Sequence, residues 1–387
     1  MKRIESIDVT RGLVMVVMAL DHVRDFMHTT SMNQDPLNLQ TTTTMLFMTR
    51  WITHLCAPTF VFLSGVSAYM SFKRDNNIKV SRRFLLTRGL WLVLLEFTVI
   101  NFALWFDIHF RFLLLEVIGS IGLSFIVLAL LLKIPSRIIG IIGITIIFTH
   151  NLLQGITLPQ NPVIIFFSSI LFRPDMMTVT PDLSSFTAYP VLPWLGIMLV
   201  GFACGELFEL SPEKRRVLFL KLGIASLTLF TIVRFLNFYG DPSKWSVQKS
   251  SIFTFLSFIN TSKYPPSLLF SLLFIGFSFI ILYVAEKSRN RLTEILSVFG
   301  KVPLFYFIIH LYIIHSLMFV MLFIQGISSK EFLFGVFNNG RPKTGEGVEL
   351  YIIYLVWIGV VLLLYPICRW YGNYKAVHKE NKYLRYL

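Results

Sequence analysis

The chain has 387 residues, of which 55% are hydrophobic and only 14% charged, with 38 phenylalanines and a net charge of +14; its mean hydropathy is +0.68. A soluble domain carries about 25% charged residues, so this composition excludes a water-soluble globule and points to lipid as the solvent. The basic excess, which in a soluble protein would raise nucleic acid as a partner, reads here as cytoplasmic loop charge and contact with anionic membrane lipids. No nucleic-acid partner is expected.

Apolar segments long enough to span a bilayer, or nearly so, recur along the whole chain. They fall at about 12–28, 52–72, 84–106, 112–132, 137–154, 190–210, 217–236, 265–285, 302–325 and 350–371. The predicted fold class is therefore all-α: a polytopic integral membrane protein of about ten transmembrane helices, forming one domain over residues 1–387. The apolar stretch Pro162 to Phe172 is too short to span and is expected to be re-entrant or interfacial. No cleavable signal peptide is expected, because the first apolar run carries Asp21, His22, Arg24 and Asp25, which a signal h-region does not tolerate.

Lys and Arg in alternate loops set the orientation. One side holds 24 of them and the other 9. The asymmetry holds at every turn, giving both termini on the cytoplasmic side and the longer loops, about 155–189, 237–264 and 326–349, outside. The expected location is an inner (plasma) membrane.

Ionisable side chains inside spans are costly, by roughly 2.5–3.5 kcal/mol each on insertion scales, so they carry the information. Asp21, Asp25 and His28 in the first span are spaced i, i+4, i+7 and share a helix face, with His22 and Arg24 beside it. His54, Glu96, Asn101, Glu116, His150, Asn151, Lys263, Tyr264, His310 and His315 fall at mid-depth or toward the outer leaflet in the same topology. The alternatives are an internal salt bridge that locks helices together and a functional polar cavity; two acids, a base and two histidines exceed what one lock requires. Gly65 with Ala68, and Gly201 with Gly205, are small-residue pairs that permit close helix approach.

No metal site is expected: Asp21 and His22 are adjacent and so point in different directions, and His310 and His315 are only loosely aligned. No phosphate-binding glycine loop, dinucleotide fingerprint or nucleophile elbow is found. Cys56, Cys204 and Cys368 lie in apolar segments and read as small buried hydrophobes.

Several blocks together carry a resemblance: RIESIDVTRGLVMVVMALDHVRDF (Arg3–Phe26), RWITHLCAPTFVFLSGVSAY (Arg50–Tyr69), YPVLPWLGIMLVGFACG (Tyr189–Gly205), NTSKYPPSLLF (Asn260–Phe270) and FGKVPLFYFIIHLYIIH (Phe299–His315). The chain resembles bacterial relatives of heparan-alpha-glucosaminide N-acetyltransferase, within the transmembrane acyltransferases. That resemblance implies acyl transfer across the membrane, from cytosolic acetyl-CoA to a sugar on the far side, with a histidine near the outer ends of the first two helices. In the stretch where that family carries the histidine, Thr41 to Leu46, this chain has none; His22, His28 and His54 are the substitutes.

Acyl transfer needs a base for the acceptor, and a histidine oriented by a carboxylate serves near neutral pH. His22 is the expected base or relay, then His54, then His310, with Asp21 or Asp25 as orienting group. Arg11, Arg82, Arg83 and Arg88 are expected to meet the CoA phosphates, the alternative being positive-inside bias alone. Arg24, Glu96, Glu116, Trp194, Lys263, Tyr264 and His315 are expected to line the acceptor side, for a small-molecule or glycan acceptor. A homodimer is compatible with the sequence. The rival from another class is a proton-coupled transporter or permease, which buried Asp, Glu and His also suit; no inverted repeat supports it.

Overall fold

The computed structural model describes residues 4–342, 345–378, 380–381 and 384; the topology-setting Lys2, Arg3, Lys343, Lys379, Lys382 and Arg385 lie outside them. The chain runs through α1 (Glu5–Met27), α2 (Thr44–Thr53), α3 (Cys56–Asp75), α4 (Ile78–Leu95), a π-helical turn at Glu96–Ile100, α5 (Asn101–Trp105), β1 (Phe112–Leu115), α6 (Val117–Leu131), α7 (Ser136–Thr149) and α8 (Pro162–Leu171). It continues through β2 (Met176–Thr180), β3 (Leu183–Thr187), α9 (Val191–Cys204), α10 (Pro212–Leu236), α11 (Ser251–Ile259), α12 (Leu268–Ala285), α13 (Arg291–Gly300), α14 (Pro303–Ile324), β4 (Phe334–Gly335), β5 (Asn338–Asn339) and α15 (Leu350–Val377).

Helix boundaries follow local chemistry. The side chains of Thr43, Asn77, Asn161, Ser250, Ser267 and Asn290 each accept a first-turn backbone N–H, satisfying donors that the helix leaves orphaned. Asn76 and Asn237 end α3 and α10 in the left-handed conformation, which Asn tolerates at little cost. Pro58 lies in the first turn of α3, where its missing N–H is one the helix would not use.

Eight helical stretches among the described residues are long and apolar enough to cross a membrane. Of the ten expected spans, two fall short on one criterion. α1 has the length, at 23 residues, but is rich in charge; α6 is apolar but only 15 residues long. The first four residues of the expected 112–132 span form β1 instead. Phe112–Leu115 reads as helix by hydropathy alone, but Asn101 brackets it: its Nδ2 donates to the Phe112 carbonyl at 2.9 Å and its Oδ1 accepts the Leu114 N–H at 3.1 Å. The all-α expectation is corrected accordingly. The fold is largely helical and carries a three-stranded sheet of order β1-β3-β2, with β1 parallel and β2 antiparallel to β3, and a two-stranded β4–β5 ladder. The 162–172 stretch is α8, a ten-residue, largely exposed helix.

α1 is the central element, and most of its residues are buried, including Asp8, Asp21 and Arg24. It packs against α3, α12, α13, α14 and α15. The α1–α13 crossing is very close: a Cβ on Gly12 would stand 1.8 Å from the Leu296 carbonyl oxygen, and one on Gly300 1.8 Å from that of Asp8. The small-residue motifs face each other within the chain. A Cβ on Gly65 would reach the Met198 carbonyl oxygen of α9 at 2.1 Å, and one on Gly201 the Phe62 carbonyl oxygen of α3 at 2.1 Å. α10 and α15 form the periphery, mostly exposed.

Ahead of β1, Asp107 accepts the His109 N–H at 3.1 Å and the Arg111 guanidinium at 2.9 and 3.1 Å. Burial opposes ionisation of Asp107, but these donors outweigh it and hold its carboxyl below the ordinary value.

Two expectations follow. Gly12→Ala forces α1 and α13 apart and lowers stability by about 1–3 kcal/mol, read as a fall in Tm in detergent; an unchanged Tm would contradict the close crossing. Because the folded pKa of Asp107 is depressed, its contribution is complete above the ordinary aspartate value of about 3.9 and is lost as pH falls through the folded value. Hydrogen exchange at residues 107–115 should therefore accelerate only in acid below that value.

Candidate active site

The charged residues of α1 find their partners on the next helix. Asp21 accepts Arg50 on Oδ2, and on Oδ1 it accepts Thr53 Oγ1 at 2.8 Å and Arg24 Nη2 at 3.0 Å. Arg24 also donates to Asp25 at 2.6 Å, and Arg50 Nη1 lies 3.8 Å from Asp25 Oδ2. Two guanidiniums thus offset two carboxylates in a cluster that is buried except at Asp25. Arg50 and Thr53 fall in the last turn of α2, one helical step apart, and the helix ends there, so both side chains reach α1.

A cavity of about 70 Å³ opens beside the cluster. α1 supplies Asp21, His22 and Asp25; α2 supplies Arg50 and Thr53. Although adjacent on α1, Asp21 and His22 both line this chamber, because it wraps around that side of the helix. The sheet sets two more walls. Glu116 follows β1 directly, and Tyr189 follows β3, where the Ala188 and Tyr189 N–H groups both donate to the Leu115 carbonyl at 3.1 and 3.2 Å. The loop at 260–267 brings Lys263 and Tyr264 into the lining. It is held by Asp241, which accepts the Ser262 N–H at 2.8 Å and Ser267 Oγ at 2.6 Å, and by His150 Nε2, 2.7 Å from the Pro266 carbonyl. Lys263 Nζ lies 5.0 Å from the Tyr264 ring centroid and 5.7 Å from that of Tyr189, in cation–π range. Tyr264 is exposed, its hydroxyl 3.4 Å from Arg50 Nη2.

A second cavity of about 300 Å³ lies toward the N-terminal end of α1. Arg11, Arg74, Arg88, Lys301 and Lys375 line it, together with Ser64, Ser67 and Ser71. Arg11 donates to the Leu63 carbonyl at 3.2 Å and to Ser67 Oγ. Phe60, Ile118 and Phe307 line both cavities. At 1.5 Å rise per residue, Arg11 and His22 stand about 16 Å apart along α1.

The other expected site residues lie as follows. The His310 ring is 5.1 Å from that of His22; its Nδ1 is 2.9 Å from the Tyr306 carbonyl, and its Nε2 is buried without a hydrogen-bond partner. His54 does not line the chamber. It packs against Phe270 and Phe274, at 5.6 and 5.9 Å between ring centroids. Glu96 accepts the Glu116 and Gly119 N–H groups at 2.7 and 2.9 Å, capping the N-terminus of α6 rather than facing the chamber. Trp194 stacks on Tyr189 at 4.8 Å, behind the chamber wall. His315 is enclosed between the Ala103 and Asn339 carbonyls at 2.7 and 2.8 Å. His28 ends α1, bonds Thr30 locally and accepts Arg341 on its carbonyl at 3.0 Å. Arg82 and Arg83 are exposed on α4 and line neither cavity. Among the described residues, no group of three or more His, Cys, Asp or Glu could hold a metal ion.

Arg50, Thr53 and Tyr189 are the polar lining residues that sequence reasoning passed over, along with the apolar Phe60, Ile118 and Phe307. Arg50 was legible in principle: α1 carries two buried-depth acids near one arginine, so a second cation had to come from a neighbouring segment. Replacing Arg50 with Met leaves Asp21 short of half its countercharge. A loss of about 3–5 kcal/mol is expected, measured as thermal unfolding in detergent. A variant as stable as the parent would show that the pair is not integral to the fold.

The family model described as heparan-alpha-glucosaminide N-acetyltransferase, catalytic, matches residues 3–245, more than half of the chain. No curated protein matches it. The matched region contains α1, α2 and α3, hence Asp21, His22 and Arg50, while Lys263 and His310 lie beyond it. By that match the chain belongs to the heparan-alpha-glucosaminide N-acetyltransferase catalytic family, membrane proteins of the acetyltransferase type.

Proposed function

We propose that the protein transfers an acetyl or other short acyl group from cytoplasmic acyl-CoA to a sugar or other envelope acceptor on the opposite side of the membrane. The observation that carries this reading is the meeting of the two cavities. A basic cavity and an Asp/His/Lys chamber share Phe60, Ile118 and Phe307 as walls, so a donor bound by its phosphates at one end can present its thioester at the other. The orientation rests on the Lys and Arg asymmetry, which puts the basic cavity on the cytoplasmic side.

In this reading Arg11, Arg88 and their neighbours hold the CoA phosphates, and the pantetheine arm extends along α1. His22 takes the proton of the acceptor hydroxyl or amine as that atom attacks the thioester carbonyl. Lys263 and Arg50 face the negative charge that develops on the carbonyl oxygen. The CoA thiolate then leaves with the proton from His22. Asp21, with its oxygens engaged by Arg50, Thr53 and Arg24, acts as a positioning group and not as the base, and the His310 ring packs beside His22 at 5.1 Å between centroids. The acceptor enters past Asp25 and Tyr264, the exposed rim residues.

Acetyl-CoA binding and thiol release by the purified full chain in nanodiscs test the reading. His22→Ala should lower turnover by about 10²–10⁴-fold with donor binding retained, while His54→Ala leaves turnover near that of the parent. Arg11→Ala and Arg88→Ala should weaken acetyl-CoA binding; Arg82→Ala and Arg83→Ala should not. Absence of saturable acetyl-CoA binding by the parent would refute the acyltransferase reading.

A further inference from the structure

The two cavities differ in size and share three apolar side chains from three separate helices: Phe60 on α3, Ile118 on α6 and Phe307 on α14. We propose that these three side chains wall the acyl pocket and set its length, so that a two-carbon acyl group seats at His22 and longer chains do not. The proposal rests on the acyltransferase reading above and specifies which donors it uses.

Volume is the first argument. The chamber at His22 holds about 70 Å³, against about 300 Å³ in the basic cavity. That is less than half of a ~150 Å³ cavity that admits benzene. The carbonyl carbon, its substituent and the attacking acceptor atom must all fit there. On one side the polar wall is braced, because Asp21, Arg50 and Thr53 are tied to one another.

Placement is the second. Phe307 stands edge-on to His22 at 6.4 Å between ring centroids, and to His310 at 5.6 Å. An acyl group whose carbonyl faces His22 therefore has Phe307 beside its apolar tail. Rigidity is the third. Ile118 sits in the first turn of α6, whose end is held by both oxygens of Glu96. Phe307 is on the buried side of α14, and Ile118 is buried as well.

The step that the pocket governs is balanced. The bond from the acyl carbon to the CoA sulfur breaks, and one to the acceptor oxygen or nitrogen forms. The acceptor's proton passes through His22 to the departing sulfur, giving free CoA thiol. With water as acceptor the product is the carboxylic acid, so thiol release reports the step even when the acceptor is unidentified.

The experiment compares acetyl-, propionyl-, butyryl- and hexanoyl-CoA with the full chain in nanodiscs, reading kcat/KM for thiol release and Kd for each donor. In the parent, kcat/KM should fall about tenfold or more per added methylene, while Kd stays nearly constant because the phosphates are held in the basic cavity. Phe307→Ala and Phe60→Ala should raise the butyryl-to-acetyl ratio of kcat/KM by about tenfold or more. Phe307→Leu and Ile118→Val, milder changes, should move it the same way if the alanine variants fail to fold. A parent with no chain-length preference, or variants that bind acetyl-CoA normally and keep the parent's ratio, would overturn the length limit alone. A parent that neither binds nor cleaves any of the four donors would remove the acyltransferase reading, and the length limit with it.

Discussion

The neutralisation of Asp21 inside the helix bundle is the interaction on which the arrangement turns. An isolated carboxylate in hydrocarbon is far too costly to keep, so the fold must bring it countercharge and hydrogen-bond donors. Arg24 supplies one from the same helix, and Arg50 and Thr53 supply the rest from α2. Meeting that need draws α2 onto α1, ends α2 at Thr53 and restarts the chain as α3 from Cys56. It also explains why a helix so rich in charge is largely enclosed. α1 is surrounded by α3, α12, α13, α14 and α15 and takes its polar partners from protein.

A second constraint comes from backbone groups that lipid cannot satisfy. At several helix and strand ends within the bundle, a polar side chain meets the exposed N–H or carbonyl groups. Glu96 caps α6, Asn101 brackets β1, His150 and Asn151 hold the start of α12, and His315 bridges the α5 end to the β5 segment. Arg234 and Arg341 do the same for the long loops: each guanidinium donates to several carbonyls, those of Phe258, Ser243, Ser257 and Asn260 for Arg234, and those of Phe26 and His28 among others for Arg341. Two of these residues hold segments that line the chamber, Glu96 through the Glu116 N–H and His150 through the Pro266 carbonyl. The sheet belongs to the same economy of polar groups: pairing β1 with β3 satisfies their backbones and, at its end, delivers Glu116 and Tyr189 to the chamber.

Several features were legible from residues alone. The lipid environment follows from composition, most of the spans from hydropathy, and the unusual status of α1 from Asp21, His22, Arg24 and Asp25 in an apolar run. The convergence of Asp21, His22, Asp25, Glu116, Lys263 and Tyr264 on one chamber was also within reach, since all were polar residues expected at similar depth. Glu96, His54 and His315 were expected there on the same logic and serve elsewhere, because depth is a single coordinate. It does not say which way a side chain points around its helix, nor whether a nearby helix end claims it.

By itself, then, the sequence determined that the chain lives in a membrane, where its main spans run, and that its first helix carries charges that need partners. Those properties are set by one-dimensional quantities, namely hydropathy, segment length and charge position. Only the tertiary structure decided that Arg50 completes the charge cluster, that Phe112–Leu115 is a strand, and that three apolar residues from three helices line both a basic cavity and a polar one. Each of these depends on contacts between segments far apart in the chain. Hydropathy carries no record of such pairings; packing geometry and the need to satisfy every buried polar group select them.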